Sequence, residues 1–361
     1  MQDIPMSRWL SPLMAFCLSF VLITTLAPVA DIQRDRQLDF WALWLLAMFI
    51  LALPLIYLET ALLKRSKTTA LNALMSLTRE ADVSPRWRVV GWLAVIFVPY
   101  LAGAMIANTL HQSEQWINQF AVPMQWLIAA LVVVAVILSL LPRLILIVLM
   151  TVAVITSFVL SHVFALNLAV WHVTPVTFAE WGHATVLALV ASGLGLGIYA
   201  QSNAEQLRHA EYTTSTAVPV WVAQLLAVLC FGFFAVQTQI PALTITIAAV
   251  FAAALLLQLA REQLAQRQIN IVLQWLIVIV VAMLWVASTL FPLLNFGLML
   301  WGLIVCLIYA IFVGWKMKIS HLRKALNFQS EAIYNVWRIA VRVILPISIV
   351  AAIVAVIIGQ V

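Results

Sequence analysis

Apolar stretches of about 20 residues, each long enough as a helix to cross a hydrocarbon core of roughly 30 Å, recur along the whole chain. They fall near 9–28, 39–63, 88–110, 123–141, 143–165, 183–200, 216–236, 240–260, 269–291, 294–315 and 338–358. A sequence that is 65% apolar and 9% charged has too little polar surface to cover a water-soluble globule, so its solvent is largely lipid. The expected fold class is an all-α membrane protein of about 11 transmembrane helices, the arrangement in which each spanning segment satisfies its own backbone.

The distribution of Lys and Arg gives an independent check on these segments, because basic residues collect in the cytoplasmic loops. With the N-terminus cytoplasmic, seventeen of the nineteen fall on that side: Arg8, the cluster from Lys64 to Arg88, Arg143, Arg208, Arg261, Arg267 and the run from Lys316 to Arg342. Only Arg34 and Arg36 fall outside. The net charge of +6 is therefore a signal of topology and gives no reason to expect nucleic acid. The expected location is a bacterial inner (plasma) membrane, crossed many times. Small residues at Ala27-Pro28-Val29-Ala30 have the look of a signal-peptide cleavage site, but the single Arg8 before them speaks against that reading.

No Gly/Ser-rich linker or soluble insertion interrupts the segments, so residues 1–361 are expected to form one integral membrane domain. The piece Ala70–Leu77 has leucines at helical spacing and fits either an interfacial helix or a short helix packed under the bundle. Pro54, Pro99, Pro219 and Pro346 predict kinks. The sixth segment is different: Ser192-Gly193-Leu194-Gly195-Leu196-Gly197 sets three glycines two residues apart. That density suits close helix packing or a helix that breaks and turns its backbone toward a cavity.

Of the thirteen Asp and Glu, Glu59 alone lies well within an apolar segment, which marks it as a functional candidate. A lone acid makes no multi-step proton relay, and the sequence carries neither metal-ligand spacing nor a catalytic constellation, so an enzyme is not expected. His162, His172 and His183 flank the loop before the sixth segment, where interfacial roles outweigh ligation. The fifteen Trp concentrate near segment ends, as lipid-interface anchors do. Cys17, Cys230 and Cys306 lie inside segments as small apolar side chains.

Leu53-Pro54-Leu55-Ile56-Tyr57-Leu58-Glu59 resembles the second-helix signature of the neurotransmitter:sodium symporters. Trp181 followed by Gly193-Leu194-Gly195-Leu196-Gly197 is similar to that family's sixth helix, and Tyr334-Asn335-Val336-Trp337-Arg338 through Pro346 to its entry into helix eleven. The resemblance implies a LeuT-type fold: a 5+5 inverted repeat with repeat one at about 9–165, repeat two at about 183–315 and an extra helix at about 338–358. It implies helices one and six broken around a midplane site. Glu59 would then brace the break in helix six, as the family's second-helix Glu does.

The departures are equally informative. The family's first helix supplies Asn and Gly to its sodium and substrate sites, yet this chain has no Asn before Asn72 and no Gly before Gly91. Aligned on Pro28-Val29, Cys17 and Ile23 stand at the two Asn positions and Leu26 at the outer-gate Arg. Asn295-Phe296 replaces the Asp-Phe of the opposing gate, Ile106 a substrate-contacting Tyr, Ala248-Ala249 a hydroxyl pair of a sodium site, and Gly193 a sodium-binding Ser. A dehydrated hard cation needs about five or six oxygens, so these losses speak against sodium coupling, and no cofactor is called for. They speak equally against an amino-acid zwitterion. Thr24, Thr25 and Ser192 offer hydroxyls to a cavity or back-bond to their own helices.

The leading expectation is a divergent secondary transporter moving a small organic solute by alternating access. Thr24, Thr25, Ser192, Gly193, Gly195 and Gly197 would line its substrate site, with Glu59 in structural support of the break. The alternative is a transport-inactive membrane scaffold or regulatory subunit of the same fold. A midplane cavity with convergent polar groups would favour the first, and a continuous, packed first helix the second. A small-molecule solute and membrane lipids are the expected partners, with a membrane-protein partner or a homodimer left open.

Overall fold

The computed structural model describes residues 9–30, 37–114, 122–163, 170–202, 212–232 and 242–359. Arg8, Arg34, Arg36, Arg208 and the side chain of His162 lie outside the described residues. Among those described, the structure is helical apart from turns and one isolated bridge between Gln37 and His172. Each of the eleven predicted segments coincides with helix. Among the described residues, six helices are long and apolar enough to cross a membrane by length and composition, and four further apolar helices are shorter.

In chain order the described helices are α1 (Leu10–Leu26), α2 (Leu38–Ser66), α3 (Ala70–Glu80), α4 (Val89–Gln112), α5 (Met124–Leu138), α6 (Arg143–Val163) and α7 (Phe178–Leu189). There follow α8 (Ile198–Ser202), α9 (Thr214–Cys230), α10 (Ala242–Gln266), α11 (Ile271–Met283), α12 (Phe291–Ile311), α13 (Ile319–Leu326) and α14 (Glu331–Ile358).

The α4 and α10 segments make the interior: in each, 78% of the most apolar window is buried and the two helices pack on one another. In α6 and α14 the share is 33%. Their outer faces carry helical stripes of exposed apolar residues, such as Val336, Ile339, Val343, Ile347, Val350, Val354 and Ile358 on α14. A stripe of that period turned away from the core identifies the surrounding solvent as hydrocarbon, and the chain as a multi-pass membrane protein.

The described basic residues gather at one end. There Arg65 pairs with Glu80, Arg143 with Glu262 and Arg323 with Glu331, and Thr69 Oγ1 donates to Gln266 Oε1 at 2.8 Å. Of the two readings of residues 70–77, the packed one is observed: Leu71, Leu74 and Leu77 of α3 are buried. Two prolines are accommodated by π-helical turns just upstream, Pro54 by Met48–Ala52 and Pro346 by Ala340–Ile344. A proline ring clashes with the carbonyl four residues earlier, and the wider turn relieves that clash. Pro99 and Pro219 sit inside α4 and α9.

Two helix starts lie earlier than hydropathy predicts. A capping box closes the N-terminus of α7, with Thr177 N–H donating to Glu180 Oε2 (2.7 Å) and Glu180 N–H to Thr177 Oγ1 (3.3 Å). Ser330 Oγ accepts from Ala332 N–H (3.2 Å) at the start of α14.

Candidate functional site around the break in the sixth segment

The sixth segment is discontinuous, which is the second of the two arrangements its glycines suit. The α7 end is a Schellman motif: Gly193 N–H donates to Val190 O (2.9 Å), Leu194 N–H to Leu189 O (3.0 Å), and Gly193 takes the left-handed conformation at φ +68°. Gly195 (φ +80°) and Gly197 (φ +68°) are left-handed as well, so the chain unwinds until α8 begins at Ile198. A side chain at any of the three would be strained.

Unwinding frees backbone groups that lipid cannot satisfy, and side chains from α1, α2, α8, α9 and α12 take them up. From α2, Glu59 Oε1 accepts the N–H groups of Gly195 and Gly197 (3.4 Å to the latter). The Ser192 carbonyl accepts from Tyr199 Oη of α8 (2.8 Å), Gln224 Nε2 of α9 (3.0 Å) and Ser19 Oγ of α1 (3.4 Å). Ser19 Oγ also lies 3.1 Å from Tyr199 Oη. The Cys306 thiol of α12 points at the Leu194 carbonyl at 3.5 Å. Ser19, Tyr199 and Gln224 thus converge on one carbonyl where α1 crosses the break.

The first segment behaves differently. The α1 helix is continuous, and residues 17 to 26 are all buried. Phe20 stacks on Phe158 with centroids 4.6 Å apart, and Leu22 lies against Gly193. Thr24 Oγ1 donates to Phe20 O (2.8 Å) and Thr25 Oγ1 to Leu22 O (2.9 Å), the back-bonding option for both. Ser192 Oγ points to Leu187 O (3.4 Å) and Met48 Sδ (3.9 Å). Of the sequence candidates, Ser192, Gly193, Gly195, Gly197 and Glu59 therefore stand together, while Thr24 and Thr25 sit at the far end of α1. There Pro28 has no N–H to offer the Thr24 carbonyl, and Gln112 Nε2 approaches the carbonyls of Thr24 (3.5 Å) and Thr25 (3.3 Å) instead.

At the predicted gate position Asn295 Oδ1 accepts from Asn108 Nδ2 (3.1 Å), a neutral buried pair. Ser19, Tyr199, Gln224, Gln112 and Asn108 were not singled out from sequence. Their signal was present all the same: neutral amides and hydroxyls inside apolar segments need partners as ionisable groups do.

No protein-family model and no curated protein matches the sequence. Among solved structures, the crystal structure of MhsT in complex with L-phenylalanine is similar over 99% of this chain and 100% of that chain, with a TM-score of 0.64 and 14% identity. The chain has a LeuT-type fold. The likeness fixes the architecture that the break, its brace and the covering helices belong to, and the chemistry must be argued from the residues themselves.

Proposed function

We propose that this protein is a secondary carrier of a small, largely apolar organic solute, working by alternating access about the break between α7 and α8 in a bacterial inner membrane. The observation that carries this reading is the interrupted sixth segment with its side-chain supports. Three left-handed glycines interrupt the helical hydrogen bonding that lipid demands, and a carboxylate inside a lipid-embedded bundle is costly. A helix that only needed to pack would have no use for them, whereas a carrier needs a hinge with backbone groups near its solute. The converging Ser19, Tyr199 and Gln224 give that region polar contacts for orienting a solute. MhsT binds L-phenylalanine, which makes aromatic solutes the first to try.

Sodium coupling is not part of the proposal. The carbonyls within a continuous α1 are spent on its own helix, and Ala248 and Ala249 offer no side-chain oxygen from α10. One observation favours a second reading, a transport-inactive scaffold or regulatory subunit: α1 is unbroken and packed, with Phe20 and Leu22 filling the space beside the break.

The deciding experiment is uptake by proteoliposomes of aromatic amino acids, amines and neutral aromatic solutes, with and without sodium, beside a thermal-shift screen of the same compounds. Sodium-independent, saturable uptake is expected. Absence of both uptake and stabilisation across the set would select the scaffold.

A further inference from the structure

Below the break, toward the basic end, lies a cavity of about 20 Å³ whose lining includes Glu59, Thr68, Ala73, Leu74, Gly197 and Tyr309. A polar cavity holds one water when it offers at least roughly 10–15 Å³ and two or more polar partners. Both conditions are met. Glu59 is 7% exposed, and Tyr309 of α12 is 3% exposed with its hydroxyl lacking any hydrogen-bond partner. An unpartnered phenol in an apolar interior is unfavourable, and a water in this cavity removes that cost. At the other end of the cavity Thr68 is exposed, in the turn that follows α2. The walls between are aliphatic, and α3 covers them with Ala73 and Leu74.

We propose that this cavity holds a water that carries a proton between solvent at the basic end and Glu59, so that the species coupled to solute movement is the proton. No cationic side chain lines the cavity. The titratable groups that interact with Glu59 are Tyr309 and Cys306 from α12 and Tyr199 from α8. None of them carries positive charge, which leaves a proton as the counter-charge within reach. On uptake, a water-borne proton forms an O–H bond on the carboxylate and leaves neutral water behind, and release reverses the step. A neutral carboxyl accepts hydrogen bonds more weakly than a carboxylate, so protonation loosens the hold on the N–H groups of Gly195 and Gly197. That is the hinge itself. The inference rests on the carrier reading for its role in transport, but the proton site stands apart from it.

The test separates the two. Infrared difference spectra of the full-length protein in lipid, titrated between about pH 4 and 9, are expected to show a carboxylic C=O band that grows with acidity and is missing in Glu59→Gln. Tyr309→Phe, which removes the water's second partner, is expected to keep the band and shift its frequency and midpoint. In proteoliposomes an inward proton gradient is expected to raise wild-type solute uptake several-fold and leave Glu59→Gln uptake unchanged. No Glu59-dependent band, or a band that Tyr309→Phe leaves unmoved, overturns the inference even if uptake is robust. A pH-titrating band without any uptake would keep the proton site and remove the carrier.

Discussion

Replacing Glu59 by Leu tests whether the carboxylate braces the break. The side chains are similar in size, so the change chiefly withdraws the acceptor used by the N–H groups of Gly195 and Gly197. Each buried N–H left without an acceptor costs about 1–3 kcal/mol, or about 4 kcal/mol for two at mid-range. Extra apolar burial returns up to roughly 2 kcal/mol, and removal of a buried carboxylate returns a little more. The expected net loss is about 1 to 2 kcal/mol. Glu59→Gln keeps a carbonyl acceptor and forfeits only charge assistance, so it should cost less than Leu. Unfolding in mixed micelles of increasing denaturing-detergent fraction, followed by fluorescence of the fifteen Trp, reads both differences. A Leu variant within about 0.5 kcal/mol of wild type, or a Gln variant weaker than the Leu variant, would refute the brace.

The break makes its own predictions. Gly195→Ala should destabilise more than Gly193→Ala, since both are left-handed but a Cβ at 195 lies 2.7 Å from Cys306 Sγ and one at 193 lies 3.2 Å from Tyr199 Oη. Cys306→Ala should recover part of the Gly195→Ala loss, measured as non-additivity in a double-mutant cycle. Gln224→Met strips the Ser192 carbonyl of one donor and should cost about 1 kcal/mol in the same unfolding assay. Glu331→Gln, by contrast, breaks an ion pair whose side chains are 60% and 75% exposed, and should change stability by less than about 1 kcal/mol.

Much of this architecture was legible because lipid imposes a simple grammar of apolar segments and basic loops. Hydropathy places a helix at each of the eleven apolar segments but not the short α13, which lies in a polar connection, and it misses the starts of α7 and α14, where Thr177, Glu180 and Ser330 carry the signal in hydrogen bonds that no hydropathy window registers. Glu59 and the glycines were found because charge and conformational freedom stand out against an apolar background. Gln224 and Tyr199 were harder to see, since their importance comes from meeting one carbonyl on another helix, a relation between distant positions. Continuity of α1 follows from what is missing, as its sequence holds no Gly to unwind at.

The π-helical turn at Met48–Ala52 sets the azimuth of Glu59. A residue added to a helix rotates everything beyond it by about 100°, and a π turn is an α-helical turn with one residue added. Deleting a single residue from this stretch would restore regular α-helix and swing the carboxylate a quarter-turn or more off the glycines while leaving composition and hydropathy nearly untouched. Substitutions can drift through such a segment, whereas a one-residue indel there would part the break from its carboxylate, so length between Ala47 and Leu53 is the property to inspect in any homologous chain.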